Sequence, residues 1–431
     1  MTAAGLALGL AVAGCSDSSS GGSGSAGRFT YWSFWKQGEP QQKVLQNAID
    51  SFTKDTGITV DVVWAGRDVV KKQIPAALHT NRFPDLFDQA ADQIKPVLAD
   101  QGATRDLSEV YRAPVTGEPG TTVQDIVPRK YVDSGGLKDK DGHPFLVPYT
   151  VTGDGLFYDP GALPAVAADP PKTWDDFTAT LARIKVSGGM APLTNDADQT
   201  WSNVYWMDYL LTRSQGPGTV KRLGSDRSGK AWKSADVLRQ AQRVQNLVKA
   251  GDFLSGYDAT AYPAQQKQWA NGKAGFFLLS SWLPVEVAAY AKPGFTVASV
   301  PFPSVDGKPV RSEEVALDGF AITAKSKHAA EAEKFIAYFM NKSRLTAMAT
   351  QAQSLSVRAD IPAPPALAGI KASLDSVATI TPFGDGTSEL GTWGDKVYYP
   401  IFGDLFTGKI DARQFCDKMA SAQAGYWKAQ G

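Results

Sequence analysis

Between Phe29 and Asp88 the apolar pattern switches repeatedly between two periods, and this alternation limits what the chain can become more than any other feature. "RFTYWSFW" is a compact apolar run of strand type, rich in aromatics. Pro40 then opens a stretch in which Val44, Leu45, Ala48, Ile49 and Phe52 share one helical face. Gly57 is placed to end it, because glycine takes up the left-handed conformation of a helix C-cap without steric cost. In "ITVDVV", Ile58, Val60 and Val62 alternate as in a strand. A second helix is expected over 69–80, and "FPDLFD" reads as a short strand ending near Asp88. Strand, helix, strand, helix, strand predicts a parallel α/β layer.

The chain has 431 residues, too many for one small core, so two units are expected. A turn at Asp141-Gly142 leads into "PFLVPYTVTGDGLFYD", which reads as extended chain. Thr173, with Asp176 three residues on, is an N-cap signal for a helix whose apolar face is Phe177, Leu181 and Ile184. Further helices are expected over 201–212 and 234–249. "KAGFFLL", "FTVASV" and "GFAIT" read as strands and "AAEAEKFIAYFM" as a helix. The remainder reads as helical, broken by the Pro-rich stretch Ile361–Pro365, and no internal repeat is visible.

Several chemistries find little support. Lys+Arg and Asp+Glu both number 44, and there is no long basic run, which argues against nucleic acid as a partner. The three histidines, His79, His143 and His328, are far apart, and Cys15 and Cys416 stand near opposite ends, so no metal site and no cofactor is expected. Gly224, Gly229 and Lys230 mimic a phosphate loop, but Ala231 stands where a hydroxyl is needed and the segment before it is no buried strand; a surface turn is the better reading. No G-x-S-x-G elbow occurs. Carboxylates are plentiful, but no local pattern singles out a glycosidase-like pair, so the chain is read as a binder with no catalytic residues.

Tryptophan is the informative residue. Trp32, Trp35, Trp64, Trp201, Trp206, Trp282 and Trp393 mostly fall at ends of expected elements. An indole covers the C–H face of a sugar ring while neighbouring carboxylates, amides or guanidinium groups bond its hydroxyls. Trp35 stands near Gln37 and Glu39, Trp64 near Arg67 and Asp68, and Trp393 near Asp395. Any one of them could be ordinary core; for all seven to be so is a much stronger demand.

The N-terminus carries a different message. Ala3 to Ala13 is apolar but too short to span a bilayer, which takes about 20 helical residues. Val12-Ala13-Gly14-Cys15 resembles the bacterial lipobox, and the Ser/Gly-rich stretch behind it has the composition of a tether. This implies a signal peptide over 1–14 and a linker over 15–27 beginning at a lipidated Cys15, with Cys416 left as a free thiol. No Lys or Arg lies between Met1 and Cys15, so the signal is unusual or translation starts upstream of Met1.

Longer segments resemble the extracellular solute-binding proteins of ABC importers, the class that includes maltose-binding protein. They are "AIDSFTKDTGITVDVVW", "AALHTNRFPDLFD", "PFLVPYTVTGDGLFYDPGAL" with "PPKTWDDF", "WANGKAGFFLLSSWLP" and "ALDGFAITAKSKHAAEAEKFIAYFM", in family order across nearly the whole chain after the linker. The resemblance implies two α/β lobes, 28–149 with 302–353 and 150–301 with 354–431. The hinges would lie near Tyr149–Gly153, Val300–Pro303 and Ser354–Val357. It also implies a carbohydrate held between the lobes, a membrane permease as partner, and a monomer anchored by lipid on the outer face of the cell membrane. Carried over one at a time, Trp282 and Trp393 would stack on ligand, and Asp92 would be polar in the loop after the Pro-Asp strand. Trp35, Gln37 and Glu39 would face the cleft after the first strand, as would Trp64, Trp201 and Asp318. The rivals are a binder of a glycerol phosphoester or a polyamine, and a secreted glycan-acting enzyme. A phosphate ligand calls for several cleft cations, and only Arg67 and Arg358 suggest themselves.

Overall fold

The computed structural model describes residues 27–80, 82–134 and 136–431; the Val12–Cys15 motif and most of the linker lie outside them. Among the described residues there are ten strands: β1 Arg28–Ser33, β2 Thr59–Trp64, β3 Leu86–Ala90, β4 Val147–Tyr158, β5 Ala191–Thr194, β6 Ala274–Ser280, β7 Ala298–Val300, β8 Ser312–Ile322, β9 Leu355–Ser356 and β10 Thr379–Pro382. Along the sheet the order is β2-β1-β3-β8-β4-β6-β5, with β10 on β8 and with β7 and β9 on β4. β1 lies parallel to both neighbours, as the opening alternation demands. β8 then returns antiparallel to β3, and β4 antiparallel to β8, so the layer is mixed rather than wholly parallel.

The local signals explain the elements. The first helix, Pro40–Thr56, buries Val44, Leu45, Ala48, Ile49 and Phe52 and ends at Gly57 with φ 75°. Thr173 caps Trp174–Ser187 in a reciprocal capping box with Asp176, and Ser234 caps Ala235–Ala250. β4 joins two halves of the fold: residues 147–153 pair with β8 and residues 154–157 with β6. At that switch the chain has Gly153 and Gly155. A Cβ on either would stand 2.8 or 2.9 Å from a side-chain carbon of Ile370, so glycine lets the helix Ala368–Ser376 lie against the strand.

Two expectations change. "FTVASV" gives only the three residues of β7. The stretch after the Pro-rich break is not all helix, because β10 pairs parallel with the start of β8. The phosphate-loop mimic is a turn between the helix Thr219–Ser225 and a short 3-10 segment, with Gly229 packed against the Ala420 carbonyl of the C-terminal helix.

Candidate functional site

Two sets of side chains, one from each half, face each other. The first gathers around the end of β1. Trp35 is buried, donates its indole N–H to the Tyr149 hydroxyl at 2.8 Å, and is covered by the Arg67 guanidinium 4.8 Å from its ring centre. Tyr149 in turn donates to Asp88 at 2.6 Å, and Tyr31 donates to the same carboxylate at 2.7 Å. Burial pushes the Asp88 carboxyl up to about 6 in spite of these donors. Glu39 accepts from Arg67 at 2.9 Å and from the Lys36 backbone N–H at 2.9 Å. Asp318 is buried beside Thr150, whose hydroxyl donates to it at 3.2 Å, and burial raises its carboxyl to about 7 against the pull of that bond and of Arg67. Asp92 is buried in the short helix Ala91–Ile94 that follows β3.

The second set is aromatic. The ring centres of Trp201 and Trp282 are 6.1 Å apart, tilted by 34°, and Phe383 and Tyr205 stand 6.2 and 6.3 Å from Trp201. These four rings come from three separate segments, with Trp201 and Tyr205 one helical turn apart. Trp201 is 38% exposed and Trp282 half-buried, so this cluster keeps ring surface open. One helical turn beyond Trp282 comes Glu286, which accepts from the Gln266 amide at 3.0 Å and from the Tyr262 hydroxyl. An open cavity of about 380 Å³ adjoins Thr200, with Asp198, Asp258, Thr260 and Lys409 in its wall.

Arg67 ties the two sets together. Its charge reaches both Asp318 on its own side and Glu286 on the other, opposing the upward push of burial on each. The helix carrying Asp92 also packs against the segment Phe383–Leu390, which brings Phe383 to the first set.

The sequence-predicted residues therefore divide. Trp201, Trp282, Trp35, Glu39, Asp92 and Asp318 belong to these two sets. Trp35 offers no open face, however, because Arg67 occupies it; it braces the guanidinium. Gln37 is an exposed residue of the turn after β1. Trp64 is half-buried, with Tyr31 edge-on at 6.1 Å.

Trp393 departs from the expectation. It is fully buried and lies 5.3 Å from Tyr398 and 6.2 Å from Trp232, stacked on both. Glycines flank it at Gly391 and Gly394, which could have left its ring room for a ligand. At Gly394 that room is taken by the Tyr399 ring, and Gly224 brings its own backbone against the Trp393 indole. Trp206, too, is fully buried, against Phe177 and Phe302.

Sequence reasoning missed Glu286, Tyr262 and Phe383. Glu286 was accessible from its four-residue spacing to Trp282; Phe383 was not, since only the pairing of β10 with β8 delivers it. Arg358, the other cation considered, is buried and spends its fork on Glu118 and Asp360.

Residues 47–372 match the bacterial extracellular solute-binding protein family, and the chain belongs to it. Among individual relatives, it is 22% identical over 227 residues to the diacetylchitobiose binding protein NgcE of Streptomyces coelicolor, covering 52% of this chain and 47% of that protein. It is 24% identical over 200 residues to the multiple sugar-binding protein of Streptococcus mutans, covering 45% and 46%. The matched stretch thus spans less than half of either relative. Among solved structures, the apo form of RafE from Streptococcus pneumoniae superposes with a TM-score of 0.72 at 17% identity, over 94% of this chain and 99% of that one. The fold is that of the two-lobed solute-binding proteins. Among the described residues, no helix is long and apolar enough to cross a membrane, and Cys416 is a buried free thiol.

Proposed function

We propose that this protein captures a carbohydrate outside the cell, between its two lobes, and delivers it to the permease of an ABC importer. The observation that carries this reading is the half-open pair Trp201 and Trp282, set opposite carboxylates and a guanidinium. Indole surface suits the C–H face of a sugar, and the facing polar groups suit its hydroxyls. The names of the two sugar-binding relatives point the same way. A phosphoester is disfavoured, because Arg358 is saturated by carboxylates and Arg67 is already bonded to Glu39. Membership of a binding-protein family supports binding without turnover.

The lobes in this reading are 28–149 with 302–353 and 150–301 with 354–431. The partner switch of β4 at Gly153–Asp154 falls at the edge of the first hinge stretch, Tyr149–Gly153. Ligand touching both lobes favours the closed state. The protein acts as a monomer held at the membrane by lipid on Cys15. Replacing Cys15 with Ser should release it from the membrane fraction; unchanged retention would remove the anchor from this account.

Thermal melting with galactose, maltose, raffinose and diacetylchitobiose tests the ligand class. A sugar at about 100 times its Kd stabilises the native state by about 2.7 kcal/mol, a visible rise in Tm. No shift with any of the four, against a clear shift with glycerol phosphoesters, would replace the sugar reading.

A further inference from the structure

Glu286 is held in an unusual way for a half-buried carboxylate. It lies in the short helix Leu283–Val287, and its backbone N–H bonds the Trp282 carbonyl at 3.2 Å, which places it one turn from that indole. Its carboxylate takes hydrogen bonds from two neutral donors, the Gln266 amide at 3.0 Å and the Tyr262 hydroxyl. The Tyr290 hydroxyl donates to the other end of the Gln266 amide at 2.7 Å and so fixes which end faces Glu286. Among the described residues, no Lys or Arg forms a salt bridge with Glu286, whereas each carboxylate of the pairs around Arg213, Arg243 and Arg358 has its cation within 4.0 Å. A carboxylate fixed by neutral groups keeps its remaining lone pairs as pre-aimed acceptors.

The surrounding charge is mostly negative. Glu286 and Asp196 stand on the aromatic side, Asp196 buried after β5; Asp318 and Asp92 stand on the other, along β8 and after β3. The facing cation is Arg67, from the helix Arg67–Ala77, and it is already bonded to Glu39 at 2.9 Å. Burial raises the Glu286 carboxyl above its ordinary range, against the donors and Arg67, which fits a group held in place for something other than stability.

We propose that Glu286 is a specificity-determining residue: it accepts hydroxyl hydrogen bonds from a neutral sugar lying on Trp282, and it excludes sugars that carry an acid group. This rests on the sugar reading above. A neutral sugar brings the O–H donors that this acceptor-rich site lacks. A uronic acid brings a like charge into a poorly solvated space.

The test is titration calorimetry with galactose, maltose, raffinose and diacetylchitobiose, and with galacturonate as the acid counterpart of galactose. Wild type should bind at least one neutral sugar and prefer galactose to galacturonate. Glu286→Gln should weaken the bound neutral sugar about ten- to a hundred-fold, the range for a hydrogen bond to a charged group. Its Tm without sugar should be unchanged or higher, because a carboxylate disfavoured by burial has been removed. Glu286→Asp, which keeps the charge but shortens the reach, should lose affinity while keeping the bias against uronates. Wild-type affinity in Glu286→Gln, or tighter binding of a uronate than of its neutral hexose, overturns the proposal. So does a fall in Tm in both variants with affinity retained. Failure of wild type to bind any of the four neutral sugars is a different result: it defeats the sugar reading itself.

Discussion

Two clusters of indole rings occupy the second half of the molecule, and they are built to opposite ends. Around Trp393, the rings of Trp232 and Tyr398 stack on the indole, Trp232 donates to Gln423 at 2.7 Å, and Tyr398 donates to the buried Asp208 at 2.6 Å. Every face is taken by protein. Around Trp282, the neighbouring Trp201 is 38% exposed, and the rings meet at angles that leave surface free. Both tryptophans sit at ends of helical stretches with polar neighbours, so local sequence hardly tells them apart. What separates them is what distant segments bring. Gly224 and the C-terminal helix close over Trp393, while Trp282 meets the half-open ring of Trp201, with Phe383 and Tyr205 on Trp201 in turn.

The sharpest way to break this contrast is Trp393→Ala. Removing a fully buried indole from a stacked cluster should cost about 3–5 kcal/mol of stability, seen as a large fall in Tm, with sugar affinity of the folded fraction near wild type. A stable variant that no longer binds sugar would place Trp393 in the site instead.

Next in size is the dependence on pH, which draws on both regions. Burial raises the carboxyls of Asp154 and Asp318 to about 7 and those of Asp88, Asp196 and Asp385 to about 6, from an ordinary value of 3.8. Burial also drives up Asp208, the partner of Tyr398, and Glu314. The folded state thus keeps protons that the unfolded chain sheds above about pH 4. Stability should fall as pH climbs from about 4 through 7. Asp306 acts in the opposite sense, held down to about 2 by its bond to Arg243, but its contribution is lost only below about pH 4. Tm should therefore be higher near pH 5 than near pH 8; the reverse order would mean that these carboxyls are solvated in the native state.

How much of this was legible beforehand follows the same division between near and far. Where a signal and its consequence lie within one turn, the sequence was sufficient: Gly57 ends its helix, Thr173 and Ser234 cap theirs, and the apolar face from Val44 to Phe52 is buried as expected. β9 and β10, at two and four residues, are too short to show alternation and exist through pairing with β4 and β8. The site shows the same limit. Trp282 emerges from a visibly buried strand, so its place at the strand's end was legible. Arg67 was weighed beside Trp64 and as a phosphate ligand, because its seat on Trp35 and its reach to Glu286 depend on the assembled fold.

The central claim is that the open cluster, and not the closed one, receives the ligand, and titration calorimetry of Trp282→Ala tests it most directly. With the sugar that most raises the wild-type Tm, the variant should lose about 1–3 kcal/mol of binding, the scale of a large apolar contact plus an aromatic one, while its own unliganded Tm stays close to wild type. Wild-type affinity together with a Tm lowered as far as that of Trp393→Ala would contradict the claim, making Trp282 one more core residue.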